Sequence, residues 1–244
     1  MCYHNSLNAS KIELDTRYDA QLPLELDWKP VFHSSGFSYK AWPVITCENP
    51  KAFEMSNWGL IPFFMKEQTK ADELKTMTLN CKGETAFEKP SFRAAIKSKR
   101  CLVPSTGFYE WMHVGKEKIP FFIHLKSTPI FSLAGIYDEA TITDPEGMQK
   151  TVHTFSILTT EANPLMEKIH NSKKRMPVIL PADKEGLWIK NDLTKEEVNN
   201  LILPYPEEEM NAYTISKLFT SRKQNPNVPE VMQPCEYYIV KGII

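Results

Sequence analysis

Apolar residues gather most densely between residues 100 and 160, in the runs 100–111, 120–126, 129–140 and 153–160, which are rich in Val, Ile, Phe and Tyr. That composition fits a pleated, half-buried surface, so each run is predicted to be a strand. The turn-forming clusters His113-Val114-Gly115-Lys116 and Asp144-Pro145-Glu146-Gly147 interrupt the runs and predict an antiparallel meander. Just ahead of it, residues 87–99 set Phe92, Ala95 and Ile96 on one face and Lys and Arg on the other, which predicts an amphipathic helix. Residues 43–46 and 58–62, bounded by Pro and Gly, are too short for helices and read as extended pieces, as do residues 177–180.

Residues 164–170 predict one or two helical turns, with Pro164 at the start where its missing N–H is harmless. Thr194-Lys195-Glu196-Glu197 has the form of a capping box ahead of Val198, Leu201 and Ile202, predicting a helix over 195–203. Residues 212–218 read as a strand, and residues 220–234 are polar. There is no internal repeat and no low-complexity linker, so residues 1–244 are expected to form one continuous domain of α+β class with a mainly antiparallel sheet system.

The chain's 29 Lys and Arg nearly balance its 30 Asp and Glu, for a formal charge of −1. No global positive field announces a nucleic acid, so any polyanion must meet a local basic patch. The five cysteines, Cys2, Cys47, Cys81, Cys101 and Cys235, are odd in number and widely spaced. They argue against a disulfide scaffold or a zinc ribbon, and neither a metal nor a cofactor is expected. No apolar run approaches the roughly 18 residues needed to span a bilayer, so a cytoplasmic protein with free thiols and no membrane partner is expected.

Four positions carry candidate chemistry. Removal of Met1 by an aminopeptidase would leave Cys2 with an exposed thiol and a free α-amine side by side. Such groups titrate near ~8.5 and ~7.7–8, so both are usable nucleophiles at neutral pH. The amine can attack an aldehyde to form an imine, and the sulfur can then close a five-membered thiazolidine. Glu110, in Gly107-Phe108-Tyr109-Glu110-Trp111, ends an apolar strand whose aromatics would raise its pKa toward that of a general acid. His170 stands ahead of the basic run Lys173-Lys174-Arg175 and suits a proton shuttle beside an anion-binding loop. Asn80 lies in the polar stretch Asn80-Cys81-Lys82-Gly83-Glu84-Thr85 and suits an amide that orients another group.

Met1-Cys2, Trp58-Gly59-Leu60-Ile61-Pro62, Asn80 to Thr85, Arg100-Cys101-Leu102-Val103-Pro104 running into Gly107 to Trp111, and Ile169-His170 followed by Arg175-Met176-Pro177 occur in one chain in that order. The combination resembles the SOS response-associated peptidase (SRAP) family of abasic-site processing proteins, over roughly residues 2–234. The resemblance implies a small barrel-like sheet with peripheral helices. It also implies that abasic sites in single-stranded DNA are joined covalently to Cys2 as a thiazolidine. Asn80 would hold the N-terminal residue, Glu110 would act on the imine and ring oxygen, and His170 would assist proton transfer. Lys82, Thr85, Trp58, Lys173 and Arg175 would contact DNA. Strand cleavage by β-elimination and self-removal of Met1 are further activities that the resemblance implies, and a monomer is the default.

The chain departs from the family pattern in three places. Lys82 stands where relatives carry Arg, a point charge in place of a bidentate fork. The loop from His170 to Pro177 is two residues longer than usual, which leaves Lys173 and Arg175 as alternative partners of His170. Ser38-Tyr39-Lys40-Ala41-Trp42-Pro43 replaces a Tyr-Asn-x-x-Pro motif. Arg222 and Lys223 could join Lys82 and Lys173-Lys174-Arg175 in meeting phosphates, and Trp42, Phe63 or Phe64 could stack on bases. Two other readings stay open: a hydrolase in which Cys2 and His170 attack an amide with Asn80 as oxyanion donor, and a binding module with an inert Cys2.

Overall fold

A computed structural model describes residues 2–220, 225–240 and 242. Met1, Arg222 and Lys223 lie outside the described residues. The strands in chain order are β1 (His4–Leu7), β2 (Val31–Ser35), β3 (Ala41–Thr46), β4 (Glu54–Trp58), β5 (Asn80–Lys82), β6 (Arg100–Ser105) and β7 (Gly107–Val114). They continue as β8 (Glu117–Leu125), β9 (Phe131–Thr143), β10 (Gln149–Glu161), β11 (Arg175–Pro177), β12 (Ile179–Leu180) and β13 (Met210–Thr214). The helices are α1 (Lys11–Tyr18), α2 (Gln68–Met77), α3 (Ala95–Ser98), α4 (Pro164–Ile169), α5 (Ala182–Trp188) and α6 (Lys195–Asn199).

The pairings β10–β4, β4–β3, β3–β6, β6–β9 and β9–β10 return to their starting strand, so five strands close into a barrel. Closure removes the open edges that an isolated sheet would expose. The seam between β10 and β4 is parallel, and β5 continues that parallel pairing along β10 through Asn80↔Ile157 to Lys82↔Thr159. A second, antiparallel sheet runs in the order β13-β8-β7-β1-β2. Between the layers lies one apolar cluster that includes Val44, Trp58, Leu133, Phe155 and Phe108, all fully or almost fully buried. The predicted α+β class and barrel-like core are therefore present, but the predicted meander is two hairpins in different sheets, β7–β8 and β9–β10, because β8 pairs with β7 and β13 and not with β9; Gly115 and Gly147 stand at positive φ in their two predicted turns.

The 100–111 run is not one strand. At Thr106 the chain leaves the barrel for the second sheet: β6 pairs with β3 and β9, whereas β7 pairs with β1 and β8. Gly107 makes the crossing possible, because a Cβ there would stand 2.2 Å from Cζ of Phe122 and 2.8 Å from the Ile123 carbonyl oxygen. Gly107→Ala is expected to lower the melting temperature by roughly 5–10 °C through overpacking, measured by differential scanning calorimetry. An unchanged melting temperature would mean that Phe122 yields freely.

Other predicted elements need correction. Residues 87–99 are mostly successive turns, with α3 alone helical; Pro90 has no N–H to donate to a continuous helix, and the bonds from the Lys89 amide to the Thr85 carbonyl and from the Arg93 amide to the Lys89 carbonyl stay isolated turns. The 195–203 helix stops at Asn199, two turn residues before Ile202 and shortly before Pro204, although its capping box is present. The strand predicted over 212–218 is β13 at Met210–Thr214, and Lys217–Thr220 coil into a 3-10 turn. No helix among the described residues is long and apolar enough to cross a membrane.

Candidate active site

The chain start is stitched between the two sheets. Asn80 of β5 donates from Nδ2 to the Cys2 carbonyl at 2.9 Å, and the Gly36 amide donates to the Tyr3 carbonyl at 2.8 Å. Beyond Tyr3 the chain enters β1, which pairs with β2 on one side and β7 on the other. The Oδ1 atom of Asn80 is buried and has no hydrogen-bond partner among the described residues. An exposed sulfur was the expectation for Cys2, and the structure corrects it: the side chain is 0% exposed and belongs to the main apolar cluster. Burial, then the nearby Glu110 carboxyl, pushes its thiol well above the usual cysteine range.

Glu110 comes from the middle of β7, opposite Phe121 of β8. Strand alternation puts it on the face of Phe108 and Met112, which pack into the main core, while Tyr109 and Trp111 face a second aromatic cluster with Phe219. Its carboxyl is almost wholly buried, and desolvation raises its pKa from 4.5 to about 8. At neutral pH Glu110 is therefore mainly a carboxylic acid. His170 closes α4, whose first turn is capped by Asn163 Oδ1 on the Met166 amide at 2.8 Å. Its Nδ1 lies 2.8 Å from the Arg175 carbonyl, which can only accept, so Nδ1 carries the proton and Nε2 is left as the basic atom. That Nε2 lies 3.8 Å from Oε2 of Glu110. Burial lowers the imidazole from 6.5 to about 4, so this acid and this base face each other uncharged at pH 7.

The long loop after α4 is pinned to the β7 strand by Asn171, which accepts from the His113 amide at 3.0 Å and donates to the His113 carbonyl at 2.9 Å. This brings Ser172 and Lys173 into a cleft of about 580 Å³ whose floor is Glu110 and His170 and whose walls include Tyr3, Trp111 and His113. Lys118 and Lys217 complete a rim with Lys173, and Lys217 also pairs with Glu117 at 3.1 Å. Of the described residues predicted to contact DNA, Lys173 alone lines this cleft. The alternatives for the cation beside His170 separate clearly. Arg175 turns away to grip Glu84 through both nitrogens, at 2.5 and 2.8 Å, and the Thr159 carbonyl at 2.7 Å.

Lys82 is exposed and Thr85 half-buried in the turn after β5, outside the cleft. Trp58, expected at a DNA surface, is a core residue: it is 2% exposed, stacks near the Phe155 ring and donates from Nε1 to the Leu79 carbonyl at 2.8 Å. Trp42 is equally buried, with Nε1 on the Pro104 carbonyl. Phe63 and Phe64 are exposed but lie outside the cleft. The sequence reading passed over Tyr3, Lys118 and Lys217. The predicted turn at Gly115 does place Lys118 opposite His113, three residues from Glu110, so Lys118 was within reach of that pattern; Lys217 carried no such signal.

Comparison with known proteins gives this arrangement a family. The family model for SOS response associated peptidase (SRAP) matches residues 1–221. The abasic site processing protein YoqW of Bacillus subtilis is 40% identical over 178 residues, covering 72% of this chain and 74% of that protein. The abasic site processing protein HMCES of Xenopus tropicalis is 28% identical over 195 residues, covering 72% of this chain and 55% of that protein. Among solved structures, a protein from Bacteroides thetaiotaomicron superposes with a TM-score of 0.89 at 41% identity, covering 96% of this chain and 100% of that one. Cys2, Asn80, Glu110 and His170 thus meet in a chain that belongs to the SOS response associated peptidase (SRAP) family.

Proposed function

We propose that this protein recognises abasic sites in single-stranded DNA and, once Met1 has been removed, joins Cys2 to the ring-opened sugar as a thiazolidine. The observation that carries the reading is the convergence of Cys2, Asn80, Glu110 and His170, with Cys2 and Asn80 buried directly behind a cleft that Tyr3, Glu110 and His170 line and that Lys118, Lys173 and Lys217 rim. Those lysines supply the local positive patch that a chain of net charge −1 needs to hold phosphates. A single strand can bend its bare sugar down to a buried floor, and a paired duplex resists doing so.

The chemistry follows from the protonation states. Glu110, neutral at pH 7, donates its proton to the sugar ring oxygen and His170 Nε2 takes the proton of the C1′ hydroxyl as the C1′–ring oxygen bond breaks and the hemiacetal opens to the aldehyde. The Cys2 nitrogen attacks C1′, the carbinolamine loses water, and an imine forms. The Cys2 sulfur then adds to the imine carbon while its proton passes to nitrogen. Aldehyde and aminothiol become thiazolidine and one water, with no oxidant needed. His170 Nε2 takes and returns protons with Glu110 across 3.8 Å. An imine also acidifies the neighbouring sugar proton, so β-elimination and strand cleavage can compete with ring closure. Self-removal of Met1 would use the same residues. A thiolate hydrolase is disfavoured because burial holds the Cys2 thiol protonated and His170 Nε2 faces Glu110.

The test is a denaturing gel of purified protein, its Met1 removal checked by intact mass, with a single-stranded oligonucleotide carrying one abasic site. A heat-resistant shifted band is expected, absent with an undamaged strand and much weaker with the lesion in duplex DNA. Peptide turnover without any such band would overturn the proposal.

A further inference from the structure

An abasic nucleotide has no base edge to read, so a site that selects it must hold the strand by its sugar, its phosphates and its neighbours. Beside Cys2 the chain presents one aromatic group suited to a neighbour. Phe37 is 51% exposed at the tip of the turn that follows β2, and its ring centroid lies 4.9 Å from that of Tyr3 at 47°. Tyr3 follows Cys2 directly and lines the cleft with Glu110 and His170. An exposed Phe on a soluble surface is ordinary by itself, but the bracing of this one is not.

The turn carrying Phe37 is tied on every side. The Gly36 amide donates to the Tyr3 carbonyl at 2.8 Å, the Tyr39 amide to the Gly36 carbonyl at 3.0 Å, and Ser38 Oγ to the Ser35 carbonyl at 2.6 Å. Gly36 itself rests on the buried Trp58 indole, which a Cβ would approach to 3.2 Å. The backbone carrying Phe37 is therefore fixed relative to that of the residue beside the nucleophile, and its ring rests on Tyr3, which lines the basic-rimmed cleft. Phe63 and Phe64, by contrast, pack edge to face on each other at 5.6 Å.

We propose that Phe37, braced by Tyr3, is a stacking platform for the intact nucleobase adjoining the lesion on one side. This rests on the abasic-site reading above and adds a base-binding subsite to it. Stacking on a π-face is sequence-tolerant, so the platform accepts any base but requires one. Phosphates held by the lysine rim keep that base from sliding away.

The probe is a single strand containing a tetrahydrofuran abasic analogue, which cannot crosslink, with 2-aminopurine as the 5′ or the 3′ neighbour. On binding the wild-type protein, fluorescence is expected to be quenched at one of the two flanks. Phe37→Ala should abolish that quenching and weaken binding about tenfold, the size of one lost base stack, and Phe37→Trp should restore both. Replacing the quenched neighbour by a second abasic analogue should weaken wild-type binding similarly and leave Phe37→Ala unaffected. A flank-independent signal, or full affinity in Phe37→Ala, overturns the platform. Wild-type crosslinking of a natural abasic strand, run in parallel, separates the outcomes: its absence defeats the underlying reading, and its presence with an indifferent Phe37→Ala defeats the platform alone.

Discussion

Cys2→Ala is expected to abolish the heat-resistant crosslink to an abasic strand while leaving an imine that borohydride can trap. The two nucleophilic atoms of Cys2 are separable: the nitrogen is backbone and survives the substitution, and the sulfur does not. Burial holds the thiol protonated at neutral pH, so the nitrogen must react first and the sulfur closes the ring only after an electrophilic imine carbon is beside it. Ala is small enough to keep Met1 removable and to replace Cys2 without crowding the core cluster. Cys2→Ser should behave alike, since an oxygen-closed ring reopens on heating. Strand cleavage through the imine should persist in both variants. A heat-resistant band from Cys2→Ala on a denaturing gel would remove the sulfur from the mechanism.

Glu110→Gln is expected to slow crosslinking by about 10²–10⁴-fold, the usual contribution of a positioned general acid. It should also change two pH profiles. In the wild type the rate should rise with pH as the amine loses its proton and fall above about 8, where Glu110 no longer has a proton to give. In the variant the falling limb should vanish. The second profile is stability. Burial raises Glu110 from 4.5 to about 8, so the folded protein holds a proton that the unfolded chain releases. Its contribution is intact below about pH 4.5 and is lost as pH rises through 8, on the order of 1 kcal/mol per pH unit between.

Acid acts on other groups. His170 and His33 are lowered to about 4 and His4 to about 3, all mainly by burial, so these imidazoles fold neutral and destabilise the native state as pH drops below 6.5. Their effect opposes that of Glu110 up to pH 6.5; from there to about pH 8, short of the range where the raised thiols of Cys2, Cys81 and Cys101 weigh in, Glu110 dominates. Thermal melting from pH 6.5 to 8 should therefore fall in the wild type and stay nearly flat in Glu110→Gln. Parallel curves would mean that Glu110 is ionised in the folded protein throughout.

The residues proposed to carry the chemistry are legible because each sits in a short local motif, whereas their burial is not. Nothing about Cys2 in the sequence says that its sulfur packs among apolar side chains, since that depends on β1 being threaded between β2 and β7, strands 25 and 100 residues away. Trp58 misled for the same reason: a Trp beside Gly and Pro reads as a loop residue until the barrel closes over it. The two hairpins are readable from their local turns, but their assignment to different sheets and the break at Thr106 are hidden because all the runs are equally apolar. The α1 helix could have been found from its own capping box, Ser10 with Glu13, the same signal that marked α6. Arg175 was ambiguous because its partner, Glu84, is 91 residues distant.

The unbroken passage of the chain from β6 into β7 ties Glu110 to one barrel strand, while Asn80, on the β5 strand paired with β10, fixes Cys2 from another. Neither half of the protein holds a complete reactive centre. A nascent or partly unfolded chain therefore presents an ordinary aminothiol, without the assembled acid and base that would hasten its capture of stray cellular aldehydes. On the proposed chemistry, reactivity belongs to the finished topology, which makes correct folding the safeguard against wasteful self-modification.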